Sequence, residues 1–156
     1  MSAMKMIEKL NSGDYIAINL FGQEKEVMVF CTGDNRYDEN GDDKDDGFPL
    51  SEEEIACLNW LIQNIRIDDY RQAIAQYCNK LYAAAGEKPI EEADIENEIE
   101  IHSIAVNITG ITQSGNGFVY PEISFLGECE GDPEHGICIG FRDKKFLGIH
   151  PQDWTL

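Results

Sequence analysis

The sequence predicts an α+β fold: an antiparallel sheet, built from an N-terminal β-hairpin and a four-stranded C-terminal meander, with two helices packed on one face. Three observations predict it. Two short runs rich in β-branched and aromatic residues open the chain. Apolar residues at helical spacing fill its middle, and from Glu98 onward the spacing switches to alternation. The 156 residues are read as one domain, 1–156, long enough to bury a core.

The opening runs are Tyr15–Phe21 and Glu26–Thr32, with Gly22-Gln23-Glu24-Lys25 between them as the turn of a hairpin. The first helix announces itself by Ser51-Glu52-Glu53-Glu54. In this capping box the Ser51 hydroxyl accepts from the Glu54 amide and the Glu54 carboxylate reaches back to the Ser51 amide. Leu50 and Ile55 take the staple positions, and Ile55, Leu58, Leu61, Ile62 and Ile65 form one apolar face. Asp68 is the expected N-cap of the second helix. Tyr70, Ala73, Ile74, Tyr77, Cys78, Leu81 and Tyr82 form its stripe, and Gly86 and Pro89 stop it.

In the third region, Ile99 and Ile101 share one parity while Ile104, Val106 and Ile108 share the other. The slip predicts a β-bulge at His102-Ser103. Ser114-Gly115-Asn116-Gly117 reads as a turn. Val119, Ile123 and Phe125 alternate, then Ile137, Ile139 and Phe141, and Arg142–Lys145 turns the chain into Phe146–Ile149.

Charge is the outstanding compositional feature: 12 basic against 30 acidic side chains, a formal net charge of −18. Such a field repels nucleic-acid phosphates and anionic lipid, so neither is an expected partner. It attracts a basic protein and speeds the encounter; it also serves solubility by itself. The sequence shows no signal peptide and no apolar run long enough to span a membrane. Cys31, Cys57, Cys78, Cys129 and Cys138 are scattered, odd in number and set among apolar neighbours, which fits reduced thiols in a cytoplasmic protein.

The stretch DNRYDENGDDKDDG, residues 34–47, resembles a calcium loop until its registers are tested. With Gly41 as the loop glycine, Arg36 takes the first ligand position. With Gly47, Asp42, Asp46 and Glu53 fall correctly but Lys44 takes the third. A cation at a ligand position opposes Ca²⁺. The loop is instead a solvated, self-repelling segment, and its carboxylates Asp34, Asp38, Glu39, Asp42, Asp43, Asp45 and Asp46 are candidates for contacting a basic partner. Glu134 and His135 join that candidate set. Adjacent strand residues point to opposite faces, which disfavours joint acid–base chemistry by these two. Zinc on His135, Cys129 and Cys138 is disfavoured because alternation puts the two thiols on opposite faces of the sheet. No GxSxG, GxGxxG or GxxxxGK[ST] pattern occurs. No catalytic residue, metal ligand or cofactor is therefore assigned.

Two stretches, FPLSEEEIACLNWLIQN and PEHGICIGFRDKKFLGI, together resemble a family of bacterial domains of unknown function. In that family a helix of this kind is followed by strands ending in an E-H-G motif and a short hairpin. Where the family pattern carries an aromatic residue shortly before E-H-G, this chain has Glu128-Cys129-Glu130. The family brings no established activity; small acidic relatives near toxin genes imply an immunity-like role by context alone. The function expected is a non-enzymatic interaction module that binds or neutralises a basic partner, with residues 34–46 and the second acidic run, Glu91–Glu100, as its surface. The alternative is a small metal-dependent or hydrolytic enzyme using the Glu134/His135 region.

Overall fold

In the computed structural model, residues 15–31, 40, 51–108 and 119–152 are described. The elements are β1 (Ile16–Leu20), β2 (Gln23–Cys31), α1 (Glu52–Asn64), α2 (Arg71–Ala84), β3 (Ile99–Val106), β4 (Ile123–Cys129), β5 (Ile137–Arg142) and β6 (Lys145–His150), with 3₁₀ turns at Ile67–Tyr70 and Glu92–Asn97. The strands form one six-stranded sheet in chain order. The α+β class is the one that the change of period predicts.

Every neighbouring pair is antiparallel except β2 and β3, which run parallel from Met28↔Ser103 to Cys31↔Val106. The expected antiparallel sheet is thus mostly antiparallel, with this one parallel pair joining the hairpin to the C-terminal strands. The two helices lie between β2 and β3 in sequence, and a crossover of that length brings the chain back to start β3 in the same direction as β2.

The first hairpin is tighter than expected: the turn is Phe21-Gly22 alone, and β2 begins at Gln23. Both turn residues have positive φ, 54° and 81°, as a two-residue turn of the primed class requires. Asp143-Lys144 turns β5 into β6 in the same way, at 52° and 61°. The capping box of α1 is present, with the Ser51 amide donating to Glu54 at 2.7 Å and the Glu54 amide to Ser51 Oγ at 3.1 Å. Asp68, in contrast, does not cap α2. The chain makes a 3₁₀ turn there, α2 starts at Arg71, and Asp68 pairs with the Arg71 side chain instead. Gly86 ends α2 at φ 74°, and the amides of Gly86 and Glu87 bond back to the carbonyls of Ala83 and Tyr82. That double bond is the Schellman arrangement.

The bulge expected at His102-Ser103 is there: the β3–β4 register shifts between Ile101 and Ser103. It lets Ile99, Ile101, Ile104 and Val106 all join the main core beside Leu58 and Leu61 of α1 and Ile74 and Cys78 of α2. Trp60 and Tyr70 pack edge-on against Phe141, which serves packing. A smaller cluster of Ala105, Leu126 and Cys138 is separate from this core. Cys129 belongs to the first cluster and Cys138 to the second, as alternation requires. Val119 makes only an isolated bridge; the strand proper begins at Ile123. The turn expected at residues 114–117 and the staple residue Leu50 lie outside the described residues.

Candidate functional site

The sheet is not continuous along its length. β2 pairs with β1 from Gln23 to Val27 but reaches β3 only from Met28 onward. The first residues of β3, Ile99–Ile101, pair with β4 alone. A bulge adds a residue to one strand, bends it and raises its local twist. The bulge in β3 sits where the two strands part. Between them opens a groove of about 400 Å³, with Phe21 of the hairpin turn on its wall.

Five glutamates line this groove, Glu96, Glu98, Glu100, Glu128 and Glu130, against one lysine, Lys25. The register puts Glu100 directly opposite Glu128, and the Glu130 amide donates to the Glu98 carbonyl at 2.8 Å. Like charges directly opposite across two strands are unfavourable. Part of the repulsion is relieved locally. Lys25 Nζ reaches across the gap to Glu100 Oε1 at 3.0 Å, and the Tyr82 hydroxyl donates to the Glu98 carboxylate. That hydrogen bond, together with burial, pushes the Tyr82 phenol well above its ordinary range. Arg71 takes Glu96 at 2.6 Å. Among the described residues, Glu128 and Glu130 have no ion pair.

The acidic wall is held in place from α2. Asn79 grips Ile90 with both ends of its amide, accepting from Ile90 N at 2.7 Å and donating to Ile90 O at 3.2 Å. Arg71 donates to the Glu92 carbonyl at 3.0 Å. These bonds lay the run Glu92–Asn97 along the helix, with Ile95 buried beneath it. The Arg71 guanidinium also lies 5.1 Å over the Phe21 ring. A bulky residue at positive φ is strained by about 1–2 kcal/mol, and this cation–π contact works against that strain.

A second pocket, of about 480 Å³, lies between α1 and the ends of β4 and β5, lined by Cys57, Trp60, Ile123 and Phe141. Its charges alternate in sign: Glu122, Arg142, Asp143, Lys144. Burial, and then the nearby Glu122, pushes the Cys57 thiol up to about 12, so it stays protonated and is a poor nucleophile near neutrality. In the core, Cys78 donates to Cys129, which also accepts from the amides of Gly131 and Asp132; these bonds hold the Cys129 thiol below the ordinary range.

The residues singled out from the sequence fare differently. Asp34, Asp38, Glu39, Asp42, Asp43, Asp45 and Asp46 lie outside the described residues. Glu134 and His135 sit together in the exposed turn between β4 and β5. His135 Nδ1 lies 2.9 Å from Asp132 Oδ1, and the His135 carbonyl accepts from the Gln152 amide at 3.0 Å. Gly136 has φ 66°, and a Cβ there would lie 2.3 Å from Gln152 Nε2 and 2.5 Å from the Gly127 carbonyl oxygen. The E-H-G motif thus has a structural explanation: it closes a turn and seats the segment after β6. The His135 side chain is 55% exposed, and neither Glu134 nor His135 lines either pocket above. Among the described residues, no group of three or more His, Cys, Asp or Glu is arranged to hold a metal.

Sequence reading found one wall of the groove, as part of the run Glu91–Glu100, but missed Glu128, Glu130, Lys25 and Phe21. The signal available was the alternation in Glu128-Cys129-Glu130, which puts two carboxylates on one side of a strand.

A family model described as Domain of unknown function (DUF6985) matches residues 5–156. The chain belongs to this family. The match to DUF6985 covers nearly the whole chain. No curated protein and no solved structure matches it. Among the described residues of this DUF6985 domain, no helix is long and apolar enough to cross a membrane.

Proposed function

We propose that this DUF6985 chain is a non-enzymatic interaction module that binds a basic protein, with neutralisation of a toxin-like partner as its role. The observation that carries this reading is the groove, where five glutamates face one lysine and two of them oppose each other across β3 and β4 despite the cost. The net charge of −18 adds a long-range field that speeds encounter with a cationic surface. The carboxylates of residues 34–46, which lie outside the described residues, are proposed as further contacts for the same partner. A cytoplasmic setting fits the free thiols Cys57, Cys78 and Cys129.

The test is a capture experiment from the source cell with the wild-type chain and with a variant carrying Glu100→Gln, Glu128→Gln and Glu130→Gln. The expected result is a basic protein recovered by the wild type at low salt, released at high salt and lost with the triple variant. Equal recovery by both chains, or recovery of no basic protein, overturns the reading.

A further inference from the structure

The groove has a second property besides charge: its walls are strand edges. In an antiparallel ladder, alternate residues direct their backbone groups to opposite sides. The amide of Glu130 bonds to the carbonyl of Glu98, so the same phase places the backbone groups of Glu100 toward Glu128 on β4. Those of Ile99 and Ile101 are left directed away from β4, into the gap, where β2 has not yet joined the ladder. Both residues line the groove while their side chains remain buried in the core.

We propose that the gap is a strand-docking site, in which an extended segment of a basic partner pairs its backbone with β3 at Ile99–Ile101 and sets alternate Lys or Arg side chains against Glu100, Glu128 and Glu130. The inference rests on the interaction-module reading and specifies how the partner is held. Strand addition takes affinity from main-chain hydrogen bonds and specificity from alternate side chains. Here the side-chain positions offered are the carboxylates of the wall formed by β3 and β4. Lys25 already shows the contact an incoming lysine would make, since its ammonium crosses the gap to Glu100. Charge also selects the occupant. An exposed edge invites pairing with any strand, but a second copy of a −18 chain is repelled, whereas a cationic segment is drawn in.

The test uses the full chain and three synthetic peptides: a short alternating lysine–valine peptide, and the same peptide N-methylated on alternate residues in each of the two possible phases. Affinity is read by calorimetry at low salt, and amide hydrogen exchange is followed at Ile99 and Ile101. The parent peptide is expected to bind and to slow exchange at those amides. One N-methyl phase removes the donors facing β3 and is expected to weaken binding by about tenfold or more; the other places its methyls on the far side and is tolerated. Lys25→Gln, which clears the crossing side chain, is expected to tighten the parent peptide severalfold. If both methylated peptides bind as the parent does, or if exchange at Ile99 and Ile101 is unchanged, strand docking is wrong while charge-driven binding stands. If the two phases weaken binding equally, strand docking is likewise wrong. If no peptide binds, the interaction reading fails with it.

Discussion

Glu128 faces Glu100 across β3 and β4 with no ion pair of its own among the described residues, a placement that lowers stability. Glu128→Gln is therefore expected to stabilise the fold by about 0.2–1 kcal/mol, seen as a higher urea midpoint at low ionic strength, while weakening binding of a lysine-rich peptide. A midpoint that stays put or falls would show that the carboxylates do not repel at that site. Cys57 carries a different residue-level prediction. Its thiol is raised from 9.0 to about 12 by burial, and the Tyr77 phenol is raised from 10.0 to about 12, again with burial as the first cause. Above pH 9 the unfolded thiol ionises while the folded one keeps its proton, so the unfolded state gains relative stability as pH rises toward 12. Urea midpoints are expected to fall on going from pH 9 to 11, and Cys57→Ala to flatten that fall. An unchanged slope in the variant would remove Cys57 as a cause.

The helix caps show what can be read locally at the scale of an element. The α1 capping box is legible because all its partners lie within four consecutive residues. Ser51→Ala removes the bond to the Glu54 amide and is expected to cost about 0.5–2 kcal/mol, measured by chemical denaturation; a loss under a few tenths would mean the Glu54 half of the box suffices. The start of α2 is not legible in the same way. Asp68 is a good cap by type, yet its carboxylate is taken by Arg71, which also holds Glu92 and Glu96 from a later part of the chain. The β3 bulge was legible, since a slip in parity is itself a sequence observation. Its coincidence with the start of β2–β3 pairing was not. It depends on which strand lies alongside, and β2 precedes β3 by two helices.

For the whole molecule, 30 acidic side chains against 12 basic ones make self-repulsion a global cost of folding. Salt screens it, with a Debye length of about 10 Å at 0.1 M. The thermal midpoint is thus expected to rise as sodium chloride is added from near zero to about 0.15 M, in the same range where binding of a cationic peptide weakens. Opposite signs for stability and binding would mark charge as shared between fold and function. A midpoint that falls with salt would mean that the local pairs of Lys25, Arg71 and Arg142 outweigh the net repulsion.

By itself the sequence determined the class of the fold, the helix start at Ser51, the helix stop at Gly86, the bulge in β3 and the acidic character of the surface. Each is carried by residues close together in the chain, or by composition, so local physics suffices. Only the tertiary structure decided that β2 meets β3 in parallel and parts from it at the bulge. Only that arrangement brings Lys25, Glu98, Glu100, Glu128 and Glu130 around one groove. A groove bounded by strands distant in sequence is a property of register and twist, and neither is written in any single stretch of the chain.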